Sequence, residues 1–202
     1  MCILLACCDK DTVLRVYDCN GSLKARVDNA QLENYGSAFN YHRDFFATGS
    51  FAPDTKIYSI SRVMSSQEYQ KFSKIMNLAG PRNSVLDVSF DQHDRVGVVS
   101  KDPGLFIWSI DVRYQLQEDP FLLHCIDLGK EYQHIALHPL ENVAVVTSGV
   151  ECAIIDIAED KRVVIDEVAA TSVKDLKASP DGCYFAVLGN NERQVTIWKY
   201  SH

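Results

Sequence analysis

His134 and His138 are four residues apart, a spacing that could bind a metal ion. On a helix, histidines at i and i+4 lie on one face and can bind zinc together. The segment around them, however, has the pattern of a β-strand. In a strand such residues share a face but lie about 13 Å apart, at roughly 3.3 Å per residue. We therefore expect no shared metal ion here, and we predict that both histidines are exposed or lie in a turn.

Two aspartates, Asp87 and Asp175, occupy matching places in the similar segments VLDVSF and VKDLKA. A pair of carboxylates can act as general acid and general base. A catalytic site, however, need not recur with a sequence repeat. The recurrence therefore favours a structural role for both carboxylates.

The remaining candidates for chemistry are nucleophiles and phosphate-binding loops. A nucleophilic cysteine needs a neighbouring base and a stabilised thiolate, and the sequence around Cys7 and Cys8 supplies neither. The chain also lacks the glycine-rich phosphate-binding motifs and the nucleophile elbow of serine hydrolases. The sequence therefore predicts no catalytic residue, no metal ligand and no cofactor, and hence a protein that is not an enzyme.

The composition narrows the class of protein. The chain has 202 residues, of which 47% are hydrophobic and 23% charged, the balance of a globular protein. Its formal net charge of −7 argues against nucleic acid as a partner, because that binding relies on Lys and Arg at the phosphates. The apolar opening MCILLACC is far shorter than the roughly 20 residues that span a bilayer, so it predicts a buried strand and no membrane segment. Seven cysteines without a CxxC pair predict reduced, mostly buried thiols in a cytoplasmic protein.

The elements that must position these residues follow a repeat. Short apolar runs recur at intervals of 41, 50, 47 and 43 residues, and they end near Tyr17, Tyr58, Trp108, Ile155 and Trp198. Each interval contains an apolar alternation, a polar turn such as SPDG, a dense apolar run and a short link before the next run. This order predicts an all-β chain of sequential four-stranded antiparallel units. The segment 65–78 is the strongest helical candidate, but we favour strand or loop for 70–78, where an outer strand is needed.

These residues resemble the WD40 superfamily of β-propellers and, within it, the transducin beta-like 2 family. The superfamily resemblance rests on the SPDG turn, the repeat period, and an aspartate six residues before the aromatic, as in Asp11 before Tyr17 and Asp102 before Trp108. The family resemblance rests on FFATGSFAPDTKIYSI and on SKDPGLFIWSIDVRYQLQEDPFLL, whose Asp-Pro-aromatic-Leu-Leu end is characteristic. The resemblance implies structural turn and blade roles for Asp11, Asp54, Asp102, Trp108 and Trp198.

The sequence also departs from the WD40 pattern. The usual Gly-His dipeptide is Gly80-Pro81, and the usual Trp-Asp ending is Trp108-Ser109 and Trp198-Lys199. We therefore expect an incomplete hydrogen-bond network within the blades. The family's propeller has about seven blades and an N-terminal membrane anchor, whereas this chain matches only its C-terminal part. We expect one WD40-repeat domain, an incomplete propeller with a partial blade at about 1–28 and blades at about 29–78, 79–124, 125–168 and 169–202.

With the strands of a blade lettered a to d, binding residues are expected in the links between d and a and between b and c, because loops on a rigid scaffold carry function. The candidate interaction residues are Tyr35, Arg82, Lys101, Tyr132, His134, Lys174 and Arg193. We predict a non-enzymatic scaffold that binds other proteins. The resemblance implies association with the endoplasmic reticulum and binding to its stress-sensing kinase. The alternatives are a propeller-type metal-dependent hydrolase or lactonase, or a truncated product without independent function.

Overall fold

The computed structural model describes residues 3–6, 11–18, 20–61 and 71–200 of the chain. Those residues form 18 strands in five sheets, with a single 3-10 turn at Tyr114–Leu116 as their only helical element. Strands that follow one another in sequence are neighbours in each sheet, and all of the pairings are antiparallel. The prediction of an all-β chain of WD40-type propeller blades is confirmed.

Each sheet is one blade, and blades are numbered here in chain order. Blade 1 contains β1 (Ile3–Ala6), β2 (Val13–Asp18) and β3 (Leu23–Asp28). Blade 2 contains β4 (Asn34–Phe39), β5 (Phe45–Ser50), β6 (Asp54–Ser61) and β7 (Lys71–Ala79). Blade 3 contains β8 (Val85–Phe90), β9 (Arg95–Ser100), β10 (Gly104–Ser109) and β11 (Phe121–Asp127). Blade 4 contains β12 (His134–Leu137), β13 (Val143–Ser148), β14 (Glu151–Asp156) and β15 (Lys161–Ile165). Blade 5 contains β16 (Val173–Ala178), β17 (Tyr184–Gly189) and β18 (Val195–Lys199).

The dense apolar runs become the second strands of the blades. In β9 (RVGVVS) the five residues after the first are all buried, and in β13 (VAVVTS) the four central residues are. β-Branched residues favour strands, and a strand that is apolar at consecutive positions needs cover on both of its faces. These sequences therefore place β9 and β13 in the middle of stacked sheets.

The core lies between the blades. In β10, Leu105 and Ile107 pack against blade 4, whereas Phe106 and Trp108 on the other face pack against blade 2. Equivalent clusters join blade 1 to blade 2 and blade 4 to blade 5. Each blade is therefore covered by its neighbours in the chain.

The turn after the first strand of a blade is capped by the side chain at its first position. Asn40 Oδ1 accepts hydrogen bonds from two backbone N–H groups at 2.9 Å, and Asp91 Oδ1 does the same at 2.8 and 2.9 Å. In blade 4, His138 takes this place, with Nδ1 accepting from the N–H groups of Leu140 and Glu141. Short polar side chains that bond to the backbone nearby are the usual means of fixing such turns.

Three sequence predictions can be compared with these strands: the outer strand near residue 70, the two histidines and the hydrogen-bond network of the blades. Residues 71–79 form strand β7, as favoured, while 62–70 lie outside the described residues. The prediction that both histidines are exposed or lie in a turn is wrong for His134, which is half-buried at the start of strand β12. His138 lies in the turn that follows, where it is only 3% exposed. Within the described residues, Nε1 of Trp108 and Nε1 of Trp198 are buried without a protein partner, so the network of the blades is incomplete there.

The cysteines are less buried than the sequence predicted. Of the three described, Cys125 and Cys183 are exposed and Cys152 is buried, and all three are free thiols. Burial raises the pKa of the Cys152 thiol to about 12. The other four cysteines, Cys2, Cys7, Cys8 and Cys19, lie outside the described residues.

A matched pair of isoleucines tests where the stability of the fold lies. Ile107 and Ile197 both directly precede the tryptophan of a third strand, but Ile107 is 0% exposed and Ile197 is 65% exposed. We expect Ile107→Ala to lower the free energy of unfolding by about 2–5 kcal/mol, because it leaves a cavity between two blades. Ile197→Ala should cost less than about 1 kcal/mol. Chemical denaturation followed by circular dichroism measures both, and equal losses would contradict the inter-blade core.

Candidate functional site

The links between strands d and a and between strands b and c come together at one end of the blades. In blade 3 the two links are residues 80–84 and 101–103. The backbone N–H of Lys101 donates to the carbonyl oxygen of Ser84 at 3.0 Å, which joins them directly. The side chains carried by these links therefore form one continuous surface.

A carboxylate holds the two links of blade 3 together. Asp102 Oδ2 accepts from the backbone N–H of Arg82 at 2.6 Å and from that of Asn83 at 3.0 Å, and Oδ1 accepts from Asn83 Nδ2 at 2.5 Å. Partial burial opposes the ionisation of Asp102, but these hydrogen bonds outweigh it and hold the pKa of the carboxyl below its usual value. Both oxygens of Asp102 are therefore occupied in fixing the links. We call this arrangement the carboxylate clasp.

Blade 4 has the same clasp, built with a glutamate. Glu151 Oε1 accepts from the hydroxyl of Tyr132 at 2.9 Å, and Glu151 Oε2 pairs with Lys130 Nζ at 2.5 Å. The hydrogen bond from Lys130 lowers the pKa of Glu151. Burial, followed by the bond to Glu151, raises the pKa of Tyr132 to about 12, so this phenol donates its proton to the clasp throughout the physiological range.

Blades 5 and 2 repeat the arrangement with other partners. Glu192 Oε1 accepts from the backbone N–H of Thr171 at 2.8 Å and from its hydroxyl at 2.9 Å. In blade 2, Gln31 Nε2 donates to the carbonyl oxygen of Asp54 at 3.0 Å and lies 3.4 Å from its Oδ1. In blade 1, Asp11 accepts from the N–H of Val13 within its own link at 3.0 Å.

Sequence reasoning did not identify Glu151 or Glu192 as clasp residues. A usable signal was present for Glu192, which precedes Trp198 by six residues, the same offset that separates Asp102 from Trp108. Glu151 has no aromatic at that offset, since Ile157 stands there. Its role depends on Tyr132, which only the fold brings to it.

The structure places the seven candidate interaction residues in different environments. Arg82, Lys101, Lys174 and Arg193 are exposed, and among the described residues none of the four forms an ion pair. Tyr35 is 42% exposed and donates its hydroxyl to Glu33, which raises the pKa of the phenol.

Tyr132 and His134 require a different interpretation. Tyr132 is 2% exposed, so it packs between blades 3 and 4 and supports the clasp instead of contacting a partner. His134 is half-buried at the start of β12, with Nδ1 3.7 Å from Asp87 Oδ2. Its ring faces the neighbouring blade more than the solvent, because that carboxylate belongs to strand β8.

The innermost strands β4, β8, β12 and β16 and the turns that follow them line an open cavity of about 920 Å³. Asp87 lies on the second of these strands, where its Oδ2 accepts from the N–H of Ile135 at 3.1 Å and so links adjacent blades. Asp175 accepts from the N–H of Leu176 at 2.9 Å and pairs with Lys177 at 3.2 Å. The two carboxylates therefore make structural contacts. Across the part of the chain that the structure describes, no three His, Cys, Asp or Glu side chains are grouped closely enough to hold a metal ion.

Comparison with known proteins agrees with this architecture. No family profile matches the chain. Transducin beta-like protein 2 from Mus musculus is 27% identical over 114 residues, which is 56% of this chain and 26% of that protein. The Homo sapiens protein of the same name has the same identity and covers 56% of this chain and 25% of its own length. The five antiparallel sheets and this similarity both support a WD40-type propeller fold. The chain is weakly homologous to those two proteins and spans about a quarter of their length.

The described residues contain no helix long and apolar enough to cross a membrane.

The clasp predicts how stability depends on pH. Because the folded state holds the pKa of Asp102 below the ordinary value of 3.8, its contribution is present above that value and is lost as the pH falls through the folded pKa. At pH 7 we expect Asp102→Asn to destabilise the protein by about 1–3 kcal/mol, the usual effect of leaving amide donors without their charged acceptor. The difference from the native protein should shrink as the pH falls from about 5 towards 3.

Denaturant unfolding across that pH range measures the effect. Asp111→Asn is the matched control, because Asp111 is exposed and its carboxylate accepts no hydrogen bond among the described residues. A pH-independent difference for Asp102→Asn, or an equal effect for Asp111→Asn, would show that the clasp is not what stabilises the links.

Proposed function

We propose that this chain is a non-enzymatic WD40 scaffold that binds other proteins through the surface formed by the d–a and b–c links. The proposal rests on one observation in blade 3, where two cations are exposed while the carboxylate between them is bonded within the protein. Arg82 and Lys101 are exposed and form no ion pair with any residue that the structure describes. Asp102, between them in the joined links, has its oxygens bonded to the backbone and to Asn83. The surface therefore offers two exposed cations on a rigid support.

Two cations held in joined links suit an acidic or phosphorylated segment of a partner. Charge-assisted hydrogen bonds to carboxylate or phosphate are roughly twice as strong as neutral ones, and Arg can bind either group with two parallel bonds. Phosphorylation adds nearly two negative charges, so it would increase affinity for such a surface. In blade 5, Arg193 is exposed in the b–c link and Lys174 is exposed near the start of strand β16.

The proposal also names a partner for the chain and a location for the chain in the cell. The resemblance to the transducin beta-like 2 family supports the stress-sensing kinase of the endoplasmic reticulum as a partner, with the chain associated with that membrane. The weak homology to transducin beta-like protein 2 supports a binding role by analogy at the level of the fold. Both the kinase and the location belong to the proposal.

A charge reversal tests this surface. We expect Arg82→Glu combined with Lys101→Glu to weaken binding to the purified kinase domain roughly tenfold or more, the loss expected when residues central to an interface are removed. The phosphorylated kinase should bind the native chain more tightly than the dephosphorylated form. Biolayer interferometry with the full 202-residue chain measures both affinities.

The matched control is Arg43→Glu combined with Lys161→Glu, which changes the net charge equally at the opposite end of the blades. This control should bind as the native chain does. Equal losses of affinity in both double variants would show that net charge alone explains the effect, and that the link surface is not the binding site. Metal-dependent hydrolysis of a lactone or ester by the purified chain would replace the scaffold with the enzyme alternative.

A further inference from the structure

The outermost strand of blade 3 differs in sequence from the outermost strands of the other blades. Strand β3 carries Lys24 and Arg26, β7 carries Lys71 and Lys74, and β15 carries Lys161 and Arg162. Strand β11, with the sequence FLLHCID, carries no Lys or Arg. Natural proteins place charged residues, lysine above all, on edge strands to prevent pairing with another chain. Strand β11 alone among these four lacks that protection.

Strand β11 also exposes large apolar side chains one after another. Phe121 is 63% exposed, Leu122 is 44% and Leu123 is 45%. The pairing of β11 with β10 shifts register beside Leu123, and on either side of this shift Leu122 pairs with Trp108 and His124 with Ile107. Because successive side chains point to opposite faces of a sheet, both faces of the strand are apolar at this end.

The apolar stretch extends into the segment before the strand. Leu116, in the 3-10 turn that precedes β11, is 67% exposed. No other strand in the described part of the chain has three consecutive exposed large apolar residues. Clustered exposed apolar side chains of this kind mark interaction sites on soluble proteins, whereas single ones need no explanation.

The charges at the ends of this stretch are all negative. Asp119 lies just before the strand and Asp127 ends it, and both are exposed. Between Arg113 and Lys130 the sequence contains no Lys or Arg, and Arg113 is already paired with Glu118. The edge is therefore an apolar strand with a carboxylate at each end, and neither carboxylate forms an ion pair with a residue that the structure describes.

We propose that β11 is a docking edge for an extended segment of a partner protein, which adds to blade 3 as a fifth strand. The segment would place alternate apolar side chains on Phe121, Leu122 and Leu123, and it would carry Lys or Arg at both ends, opposite Asp119 and Asp127. Main-chain hydrogen bonds supply affinity in this mode of recognition and the side chains supply specificity. This edge meets the cationic link surface at Asp127, which lines the same pocket as Arg82, but its partner has the opposite charge.

The charges favour a basic partner over a second copy of this chain. Two β11 strands paired antiparallel about Leu123 would bring Asp119 of one copy opposite Asp127 of the other at both ends. Like charges directly opposite each other in a sheet are destabilising. The net charge of −7 on each copy adds to that repulsion.

A designed peptide tests the proposal with the full chain. The probe is a labelled peptide of nine residues in all, with two lysines at each end and five alternating Val and Thr residues between them. The comparison peptide has glutamates in place of the lysines. We expect the lysine peptide to bind, and the glutamate peptide to bind at least tenfold more weakly, in fluorescence polarisation. Hydrogen exchange should slow at residues 121–127 when the lysine peptide is bound, and should not change at 161–165.

Matched variants locate the site. Phe121→Lys with Leu122→Lys gives β11 the protection that the other outer strands have, and it should weaken binding of the lysine peptide at least tenfold. The control is Val163→Lys with Val164→Lys in β15, because those residues have nearly the same exposure, 62% and 46%. The control should bind as the native chain does.

Several results would overturn the proposal. Equal binding by the β11 variant and the native chain, equal losses in the two variants, or equal affinity for the two peptides would each remove the site. Sedimentation velocity supplies a further outcome: self-association of the native chain that is abolished in the β11 variant would assign the edge to a second copy. The single variant Lys101→Glu, on the link surface but outside the pocket shared by Arg82 and Asp127, should bind the lysine peptide normally, which separates failure of this site from failure of the proposed scaffold surface.

Discussion

A sheet that is apolar on both faces cannot be stable alone in water, and the rest of this structure depends on how each sheet obtains its cover. In β10, alternate residues face opposite neighbours, so Leu105 and Ile107 pack against blade 4 while Phe106 and Trp108 pack against blade 2. Each inner sheet is thus buried by its two neighbours and at the same time buries one face of each of them. Stability in such an architecture is carried by the contact between neighbouring units more than by any single unit.

The polar groups at the ends of the blades must then be satisfied where sheets meet. Asp102, Glu151 and Glu192 bind the donors of the neighbouring links. At the opposite end, His138 Nε2 lies 2.8 Å from the carbonyl oxygen of Gly182 in the next blade. Gly182 has φ +71°, and a Cβ there would lie 2.5 Å from His138 Cε1. The close approach of the two turns therefore needs glycine at this position.

Some charged side chains of blade 3 bond within the protein, whereas others face the solvent, where a partner could contact them. In blade 3 the carboxylate of Asp102 is bonded to the links, and Arg82 and Lys101 pair with no carboxylate in the described part of the chain. On the outer edge of the same blade the balance is reversed, with Asp119 and Asp127 at the ends of an exposed apolar strand. One blade thus presents two surfaces of opposite charge, which suit partners of different chemistry.

The sequence by itself determined the architecture of this protein. Turn residues such as Pro180 and Gly182, the dense runs of β-branched residues and the regular spacing of the aromatics are local features, and local features were enough to predict antiparallel blades in chain order. The segment 71–79 shows the same logic, because the repeat required an outer strand where local propensity allowed a helix.

Only the tertiary structure decided which side chains are buried and which are available. Tyr132 looked like a surface residue and is buried, because blade 3 covers its link. His138 looked like an exposed turn residue and is bonded to a blade whose turn lies 44 residues further along the chain. Phe121, Leu122 and Leu123 have the composition of core residues but lie at an edge. A blade's exposure depends on the sheets packed against it, and that information lies tens of residues away from the side chain concerned.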